Sequence, residues 1–361
     1  MTDEKLITSD DYQRAARRVL PKMAYDYFSS GADDEVTLKA NRKAFKRYEL
    51  WYRVLVDVSR VDTSITLLGS ELSMPVLIAP TAYQKMAHPD GELATARAAT
   101  RAGTLMVVST LGTTSLEDVS DAADGPKWFQ LYVHKDRGFT KALIEKAEAS
   151  GYVALVLTVD APVLGRRLAD ERNAFALPEG LSMANLLQLA PDEIDTEGSA
   201  LSAFVAARHD ETLTWSDLDW IRSITSLPLI LKGIVRSDDA ARAAELGVDG
   251  LVVSNHGGRQ LDGAPASLEA LTEVVSEVGD SLAVMVDGGV RSGTDVLKAL
   301  ALGAKAVLVG RPILWGLAVD GESGVVSVLE NLRGELIASM KLAGCADLKS
   351  ISRDLVRKVQ R

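Results

Sequence analysis

The sequence is poor in cysteine and histidine and lacks the short motifs of common metal and nucleotide sites. Its 361 residues include one cysteine, Cys345, and four histidines. A single cysteine excludes an intramolecular disulfide and a cysteine-cluster metal site. Neither H-E-x-x-H nor C-x-x-C occurs, so no metal site is predicted. No G-x-G-x-x-G follows a predicted strand, which argues against a Rossmann-type nicotinamide site.

Excess basic charge and long apolar runs are also absent. Forty Lys and Arg residues stand against fifty Asp and Glu residues, giving a formal charge of −10. Nucleic acid, which requires a concentrated basic face, is therefore not an expected partner. The N-terminal residues show no apolar signal segment, and no run approaches the roughly 18–20 apolar residues of a membrane span. We expect a cytoplasmic protein with no membrane partner.

What the sequence does contain is a repeat of short apolar runs, each followed by a helical pattern. Hydrophobic residues make up 47% of the chain, enough for a large core. The runs are rich in Val, Leu, Ile and Ala, as in parallel strands buried on both faces. There are eight: 76–80, 105–110, 127–133, 154–160, 227–233, 250–255, 282–288 and 306–310.

The order of these elements predicts the fold. Several helical patterns begin at Ser or Asp and end before Gly, as capped helices do. Eight strands that alternate with helices predict an α/β protein with a (β/α)8 TIM barrel, and a doubly wound sheet is the competing fold.

We expect one domain over residues 1–361, because no low-complexity linker divides the chain. Residues 1–75 precede the first strand and are expected to form a helical cap over the bottom of the barrel. The remaining expected segments are helices near 9–28 and 33–46 within the cap, the barrel at 76–345, a polar lid insertion at 161–214 after strand four, and a C-terminal tail at 346–361.

Nearly every predicted strand ends in a polar or ionisable residue. In a (β/α)8 barrel the catalytic groups lie at these carboxyl ends and in the loops that follow. The residues are Pro80, Thr81 and Ala82, Ser109, Gln130 and Tyr132, Thr158 and Asp160, Lys232, Ser254 and His256, Asp287, Gly288 and Gly289, and Gly310 and Arg311.

His256 is a candidate general base, because imidazole titrates near neutral pH. It follows a strand directly and precedes a glycine pair, so a turn histidine is the alternative. Asp160 ends another apolar strand, where an unpaired buried carboxylate is costly. Pairing with a histidine would orient the ring and stabilise its charged form.

Lys232 follows the apolar run LPLIL. A lysine buried in a barrel points to a Schiff base, as in aldolases, or to a fixed positive charge beside a cofactor. An ion-paired structural lysine is the third possibility, and the residues alone do not choose among them.

The segments 287–293 and 310–312 follow strands seven and eight and predict a phosphate site. Barrels bind phosphate there on backbone N–H groups freed by glycine and at a helix N-terminus. Arg291 and Arg311 add guanidinium groups that suit phosphate oxygens. Tight turns with surface arginines are the alternative.

A second anion site is predicted nearer His256. Arg167 and Arg259 both lie in loops at the catalytic end, and Tyr27 and Tyr132 supply hydroxyl donors. Together with a histidine, these residues describe a site for a carboxylate substrate.

The chain closely resembles the FMN-dependent L-2-hydroxy-acid oxidases, the group of glycolate oxidase and lactate oxidase. The resemblance runs almost from end to end. It is carried by LPKMAYDYFSSGADDEVTL, APTAYQKMAHPDGE, FQLYV, LTVDAPVLGRR, LPLILKG, SNHGGRQLD, VDGGVRSGTDVLKALALGA and VGRPILWGLA.

The resemblance implies an FMN cofactor with its phosphate near Gly288, Gly289, Arg291, Gly310 and Arg311. It further implies flavin contacts from Pro80, Thr81, Ala82, Ser109, Gln130, Thr158, Lys232, Ser254 and Asp287, with Lys232 as a fixed positive charge. His256 matches the catalytic base and Asp160 its partner. Tyr27, Arg167 and Arg259 match residues that hold the substrate carboxylate, and Tyr132 matches the residue on the substrate oxygen.

The chain departs from the glycolate oxidases at Leu111, where those enzymes have a tryptophan. A smaller aliphatic wall leaves room for a substrate methyl group, so L-lactate is favoured over glycolate. The alternative is that Leu111 only repacks and both acids are accepted. The resemblance also favours dioxygen as acceptor, with release of hydrogen peroxide, and a homo-oligomer (tetramer or octamer). A soluble dehydrogenase with another acceptor, a Schiff-base aldolase using Lys232 and a non-catalytic phosphate-ligand binder remain as alternatives.

Overall fold

The structure is a computed structural model that describes residues 5–187 and 209–359. Part of the predicted insertion, residues 188–208, lies outside these residues. The strands are β1 Tyr48–Leu50, β2 Ile65–Leu67, β3 Ser70–Leu72, β4 Val76–Ile78, β5 Met106–Ser109, β6 Lys127–Leu131, β7 Ala154–Thr158, β8 Leu229–Ile234, β9 Gly250–Val253, β10 Ala283–Asp287, β11 Ala306–Val309 and β12 Val356–Lys358.

Thirteen α-helices are found in the described residues. They are α1 Ser9–Val19, α2 Lys22–Ser29, α3 Val36–Phe45, α4 Gly91–Arg101, α5 Leu116–Asp121, α6 Arg137–Ala149, α7 Leu168–Arg172, α8 Ala184–Leu187, α9 Asp217–Ile224, α10 Ser237–Glu245, α11 Ser267–Val278, α12 Gly293–Ala301 and α13 Arg311–Ala343.

Strands β4 to β11 form a closed parallel barrel, in which each strand pairs with the next and β11 returns to β4. Each of the eight predicted apolar runs supplies one strand, so the predicted (β/α)8 barrel is confirmed. The doubly wound alternative is wrong, because such a sheet has two open edges.

Alternation along the barrel strands places the functional side chains. Leu77, Val107, Trp128, Val156, Ile230, Val252, Met285 and Leu308 belong to one buried cluster, separate from the residues that face the helices. Because side chains repeat their direction every second residue, positions two further along also face the barrel interior. Those positions include Ser109, Gln130, Thr158, Lys232, Ser254 and Asp287. One period-two pattern therefore accounts for both the apolar interior and the polar end.

The first 75 residues do not all lie where the sequence predicted. The β2–β3 hairpin covers the bottom of the barrel, and its Leu67 and Leu72 join the interior cluster. Helices α2 and α3 instead lie at the catalytic end. Asn41 of α3 exchanges two 2.8 Å hydrogen bonds with Asn255, which follows β9. The prediction that the helices cap the bottom is therefore wrong.

The helix predicted near 9–28 is two helices. Leu20 is extended, with φ −77° and ψ 141°, and Pro21 precedes α2. Proline restricts the preceding residue to extended conformations and cannot donate a helical hydrogen bond. The break turns α2 toward the mouth of the barrel and brings Tyr27 into the site.

The long helix α13 is apolar enough to cross a membrane by length and composition, with a mean hydropathy of 1.2 over its most apolar stretch. That stretch is 61% buried, and α13 packs against α1, α4 and α12. Non-helical backbone at Asp320 and Gly321 also interrupts it. Helix α13 is therefore a mostly buried helix in the layer that surrounds the barrel.

Candidate active site

A cavity of about 860 Å³ opens at the carboxyl ends of the barrel strands. Every residue proposed above for the site lines it except Asp160 and Ser254, which lie behind the lining residues His256 and Lys232. The structure thus brings together Tyr27, Pro80, Thr81, Ala82, Ser109, Leu111, Gln130, Tyr132, Thr158, Arg167, Lys232, His256, Arg259, Asp287, Gly288, Gly289, Arg291, Gly310 and Arg311.

His256 and Asp160 form a pair at one side of the cavity. The His256 Nδ1 atom lies 2.9 Å from Asp160 Oδ1, and its Nε2 atom lies 3.4 Å from the Tyr132 hydroxyl. Gly233 makes room for the carboxylate, since a Cβ there would approach the Asp160 Cβ to 2.5 Å. His256 is therefore oriented with Nδ1 on the carboxylate and Nε2 toward the cavity.

The electrostatics of this pair favour a neutral imidazole beside a carboxylate. Burial lowers the pKa of His256 below its usual value, although the Asp160 carboxylate opposes this shift. Burial would raise the pKa of Asp160, but His256 and Lys232 outweigh it and hold that pKa below its usual value. A neutral imidazole whose other nitrogen is held by a carboxylate can accept a proton.

The backbone at His256 is left-handed, with φ 58°, and it continues left-handed through Gly257 and Gly258. The His256 N–H donates to Ser254 Oγ at 2.9 Å, which helps to hold this turn. Gly258 must be glycine, because a Cβ there would lie 2.6 Å from the Leu38 backbone nitrogen. This left-handed turn directs the imidazole from the end of β9 into the cavity.

Lys232, Ser254 and Asp287 form a buried polar cluster at the barrel axis. Lys232 Nζ donates to Ser254 Oγ at 3.1 Å and lies 3.4 Å from Asp287 Oδ2. Burial alone would lower the pKa of Lys232, but the Asp287 and Asp160 carboxylates raise it above its usual value. Lys232 is therefore a fixed cation. A Schiff base needs a neutral amine, so this cluster argues against the aldolase alternative.

Five arginines line the cavity. Arg166 is exposed and pairs with Glu171, whereas Arg167, Arg259, Arg291 and Arg311 are partly buried. Arg311 donates to the backbone carbonyls of Phe28, Ser30 and Gly257, and Arg259 to those of Tyr27 and Ser30. Burial and the neighbouring Arg167 lower the pKa of Arg259 to about 10. Burial, with Arg259 and Arg291 nearby, lowers the pKa of Arg311 well below its usual value. Such mutual repulsion is relieved by bound anions.

The comparisons with known proteins agree with this geometry. The model of the FMN-dependent dehydrogenase family matches residues 16–358. The chain belongs to this family. It is 53% identical to an L-lactate oxidase of Nostoc sp., over 94% of this chain and 95% of the relative. It is 52% identical to glycolate oxidase 3 of Arabidopsis thaliana, over 96% of this chain and 95% of the relative.

Among solved structures, a mandelate oxidase with (S)-4-hydroxymandelic acid is 44% identical and superimposes with a TM-score of 0.92. The match covers 98% of this chain and 99% of that one. The resemblance predicted from the sequence is therefore confirmed, together with FMN as the cofactor.

The cavity of this family member fits a phosphate at one end. Arg291 Nε is buried without a hydrogen-bond partner among the described residues, and burial together with Arg42 lowers the pKa of Arg291 to about 10. Helix α13 begins beside it with no side-chain cap at Gly310. Pro312 has no N–H and the Ile313 N–H donates to the Gly310 carbonyl at 2.9 Å, so the Arg311 N–H is the first-turn donor left for an anion. Gly289 has φ 95°, and a Cβ there would lie 2.4 Å from the Asn41 carbonyl oxygen. These features suit the FMN phosphate.

The opposite side of the cavity carries hydroxyl and amide groups for a polar ring edge. Gln130 Nε2 donates to Thr158 Oγ1 at 3.0 Å, and Ser109 Oγ donates to Gln130 Oε1 at 3.2 Å. Lys232 lies beside them because Thr158 and Lys232 are paired in the barrel register. This donor set fits the pyrimidine edge of an isoalloxazine, and the cation would stabilise negative charge there.

Sequence reasoning missed several residues that line the cavity. Phe175 stacks on Tyr27 with ring centroids 4.4 Å apart, and Tyr83 is buried next to both rings. The Asp170 Oδ2 atom lies 3.9 Å from Arg167 Nη1. Tyr83 directly follows the predicted contact residues 80–82, which was the available signal. Phe175 and Asp170 lie in the insertion, where no periodic pattern marked them.

Proposed function

We propose that the protein oxidises a small L-2-hydroxy acid to the 2-oxo acid with FMN, and that dioxygen takes up the electrons and is released as hydrogen peroxide. The observation that carries the proposal is the His256 imidazole, held 2.9 Å from Asp160 at the same cavity as the buried Lys232, which pairs with Asp287. FMN, when bound, supplies the two-electron acceptor. The Nostoc and Arabidopsis relatives are an L-lactate oxidase and a glycolate oxidase, which supports this substrate class.

Arg167 and Arg259 bind the substrate carboxylate in this proposal. Arg259 lies over the Tyr27 ring, 4.8 Å from its centroid, and its Nη1 donates to two backbone carbonyls. These contacts fix the guanidinium, so a carboxylate meets a preorganised partner. The Tyr27 hydroxyl supplies a further donor.

His256 accepts a proton from the substrate, and Asp160 stabilises the resulting imidazolium. Burial raises the pKa of Tyr132, so its hydroxyl stays protonated and can donate to the substrate oxygen. Two routes fit this arrangement: His256 takes the hydroxyl proton while the α-hydrogen leaves as hydride, or His256 takes the α-proton first. α-Deuterium and solvent isotope effects, measured singly and together, separate the two routes.

The test of the proposed chemistry is His256→Ala. The variant is expected to retain FMN, seen in its visible spectrum, and to lose flavin reduction by substrate at least about 100-fold, the low end for acid–base catalysis. Reduction at a near wild-type rate would remove His256 from the mechanism. A purified wild-type protein that retains no flavin would refute the function itself.

We propose L-lactate as the preferred substrate, because Leu111 gives the cavity an aliphatic wall. Leu111→Trp fills that space and is expected to lower kcat/KM for lactate relative to glycolate by about tenfold or more, since one methyl group is worth roughly 1–3 kcal/mol. Leu111→Met, which keeps an apolar wall of similar volume, is the control. An unchanged ratio in Leu111→Trp would refute the role of Leu111.

Dioxygen as acceptor is tested by product analysis. One hydrogen peroxide per 2-oxo acid is expected under air. Reduced flavin that is stable in air, yet reoxidised by an artificial acceptor, would favour the dehydrogenase alternative.

We also propose a homo-oligomer, a tetramer or octamer, in the cytoplasm. Trp51, Tyr52, Val54, Leu55 and Val56 form an exposed apolar patch, and Leu55 is fully exposed. A patch of this kind favours contact with another copy of the chain. Leu55→Asp should lower the mass measured by light scattering, whereas Val19→Asp, at an exposed site on α1, should not. Cell fractionation tests the compartment.

A further inference from the structure

A second cavity of about 270 Å³ lies beside the first, and Tyr132 lines both. His209 lines the second cavity and is buried, with 6% of its surface exposed. Its ring centroid lies 4.6 Å from that of Tyr132, with the planes inclined by 32°. The Tyr132 ring therefore has His209 as a direct packing partner.

His209 is fixed by contacts on both sides. It forms a β-bridge with His134, and the N–H of Asp210 donates to the Val133 carbonyl at 3.1 Å. Asp210 also forms a 2.6 Å ion pair with Arg137. The His209 ring is hydrogen-bonded to the backbone of Ala161, the residue that follows Asp160. One imidazole thus contacts Tyr132 and the chain that carries Asp160.

Tyr132 depends on packing for its position. Among the described residues, its hydroxyl has one hydrogen-bond partner, His256, at the long distance of 3.4 Å. A hydrogen bond of that length restrains the ring weakly. Burial lowers the pKa of His209, and the nearby His256 adds to this shift, so His209 packs as a neutral ring.

We propose that His209 is a positioning residue that holds the Tyr132 hydroxyl at the substrate oxygen. This inference rests on the proposed function, in which Tyr132 donates to that oxygen. An ångström of displacement at such a donor is enough to cost about 100-fold in rate. His209 itself touches neither the substrate nor the cofactor in this proposal.

The experiment compares His209→Leu, which removes the ring, with His209→Phe, which keeps a ring but loses the hydrogen bond to Ala161. His209→Leu is expected to lower kcat about tenfold with little change in KM, and His209→Phe should recover at least part of this loss. In a Tyr132→Phe background, His209→Leu should cause no further loss, because its effect passes through the missing hydroxyl. A general structural defect would instead add to Tyr132→Phe and reduce FMN content.

Wild-type kcat in His209→Leu, or full additivity with Tyr132→Phe, would overturn the inference. Fluorine NMR of protein labelled with fluorotyrosine, with the Tyr132 signal assigned by Tyr132→Phe, gives a readout that needs no turnover. His209→Leu should shift or broaden that signal, and an unchanged signal would count against the positioning role. If wild-type protein oxidises no 2-hydroxy acid but the signal responds, the proposed function fails while the His209–Tyr132 contact stands.

Discussion

Replacing Asp160 with Asn tests the electrostatics of the site most directly. The change keeps the shape of the side chain and removes one charge, 2.9 Å from His256 Nδ1. An imidazolium and a carboxylate with charge centres about 4 Å apart attract by about 4 kcal/mol at an effective dielectric constant of 20. A neutral amide retains part of this as an ordinary hydrogen bond. The expected loss is about 2–4 kcal/mol, or about 30- to 1,000-fold in the rate of flavin reduction.

The assay is anaerobic, single-turnover bleaching of the flavin by L-lactate, followed across pH. Loss of the carboxylate removes the group that opposes the lowered pKa of His256, so the acid limb of the profile should move to lower pH. Asp238→Asn is the matched control, because Asp238 is exposed, pairs with Arg236 and does not line the cavity. A wild-type rate in Asp160→Asn, or a limb that moves to higher pH, would refute the reasoning.

Three further predictions follow from the charges and buried hydrogen bonds. In the wild-type enzyme, kcat/KM should fall as pH drops through the pKa of His256, because protonation removes the base. Burial lowers that pKa, so a midpoint of the pH profile above the usual value of about 6.5 would contradict the assignment. Arg291→Met should raise the FMN dissociation constant by roughly tenfold to 100-fold in a fluorescence titration, since a charged hydrogen bond is worth about 1.5–3 kcal/mol; the exposed variant Arg14→Met should leave that constant unchanged. Glu92→Ala should lower the free energy of unfolding by about 3 kcal/mol, because the buried Glu92 carboxylate accepts from the backbone N–H groups of Gln84 and Thr113. An unchanged melting temperature would show that these donors find other acceptors.

The barrel and the composition of its catalytic end could be predicted from sequence because both rest on short-range periodicity. Residues two positions apart on a strand share a face, as Val107 and Ser109 do, and Ile230 and Lys232. The sequence therefore indicates which side chains face the barrel interior. Closure of the barrel then places the ends of distant strands around one cavity. The predicted set was therefore brought together although its members are scattered from Tyr27 to Arg311.

The features that the sequence did not predict depend on tertiary contacts between segments that are far apart in the chain. Helices α2 and α3 have ordinary amphipathic sequences, and only partners such as Asn255 and Gly258 decide which end of the barrel they cover. The stacking of Phe175 on Tyr27 joins a loop to a helix with no pattern in either. His209 belongs to the same group, since a lone histidine in a polar stretch carries no signal of its neighbour Tyr132.

Among the described residues, seven that are not glycine have positive φ, and three of them, Tyr83, Ala174 and His256, line the cavity. A left-handed conformation costs a residue with a β-carbon roughly 1–2 kcal/mol, so part of the conformational strain of the chain lies where the chemistry takes place. Glycine at Tyr83 or His256 would relieve the strain, but it would also remove a side chain that lines the cavity. Ala174 carries a single methyl group, so it is the position at which an engineer can make the enzyme more robust without touching its reactive groups.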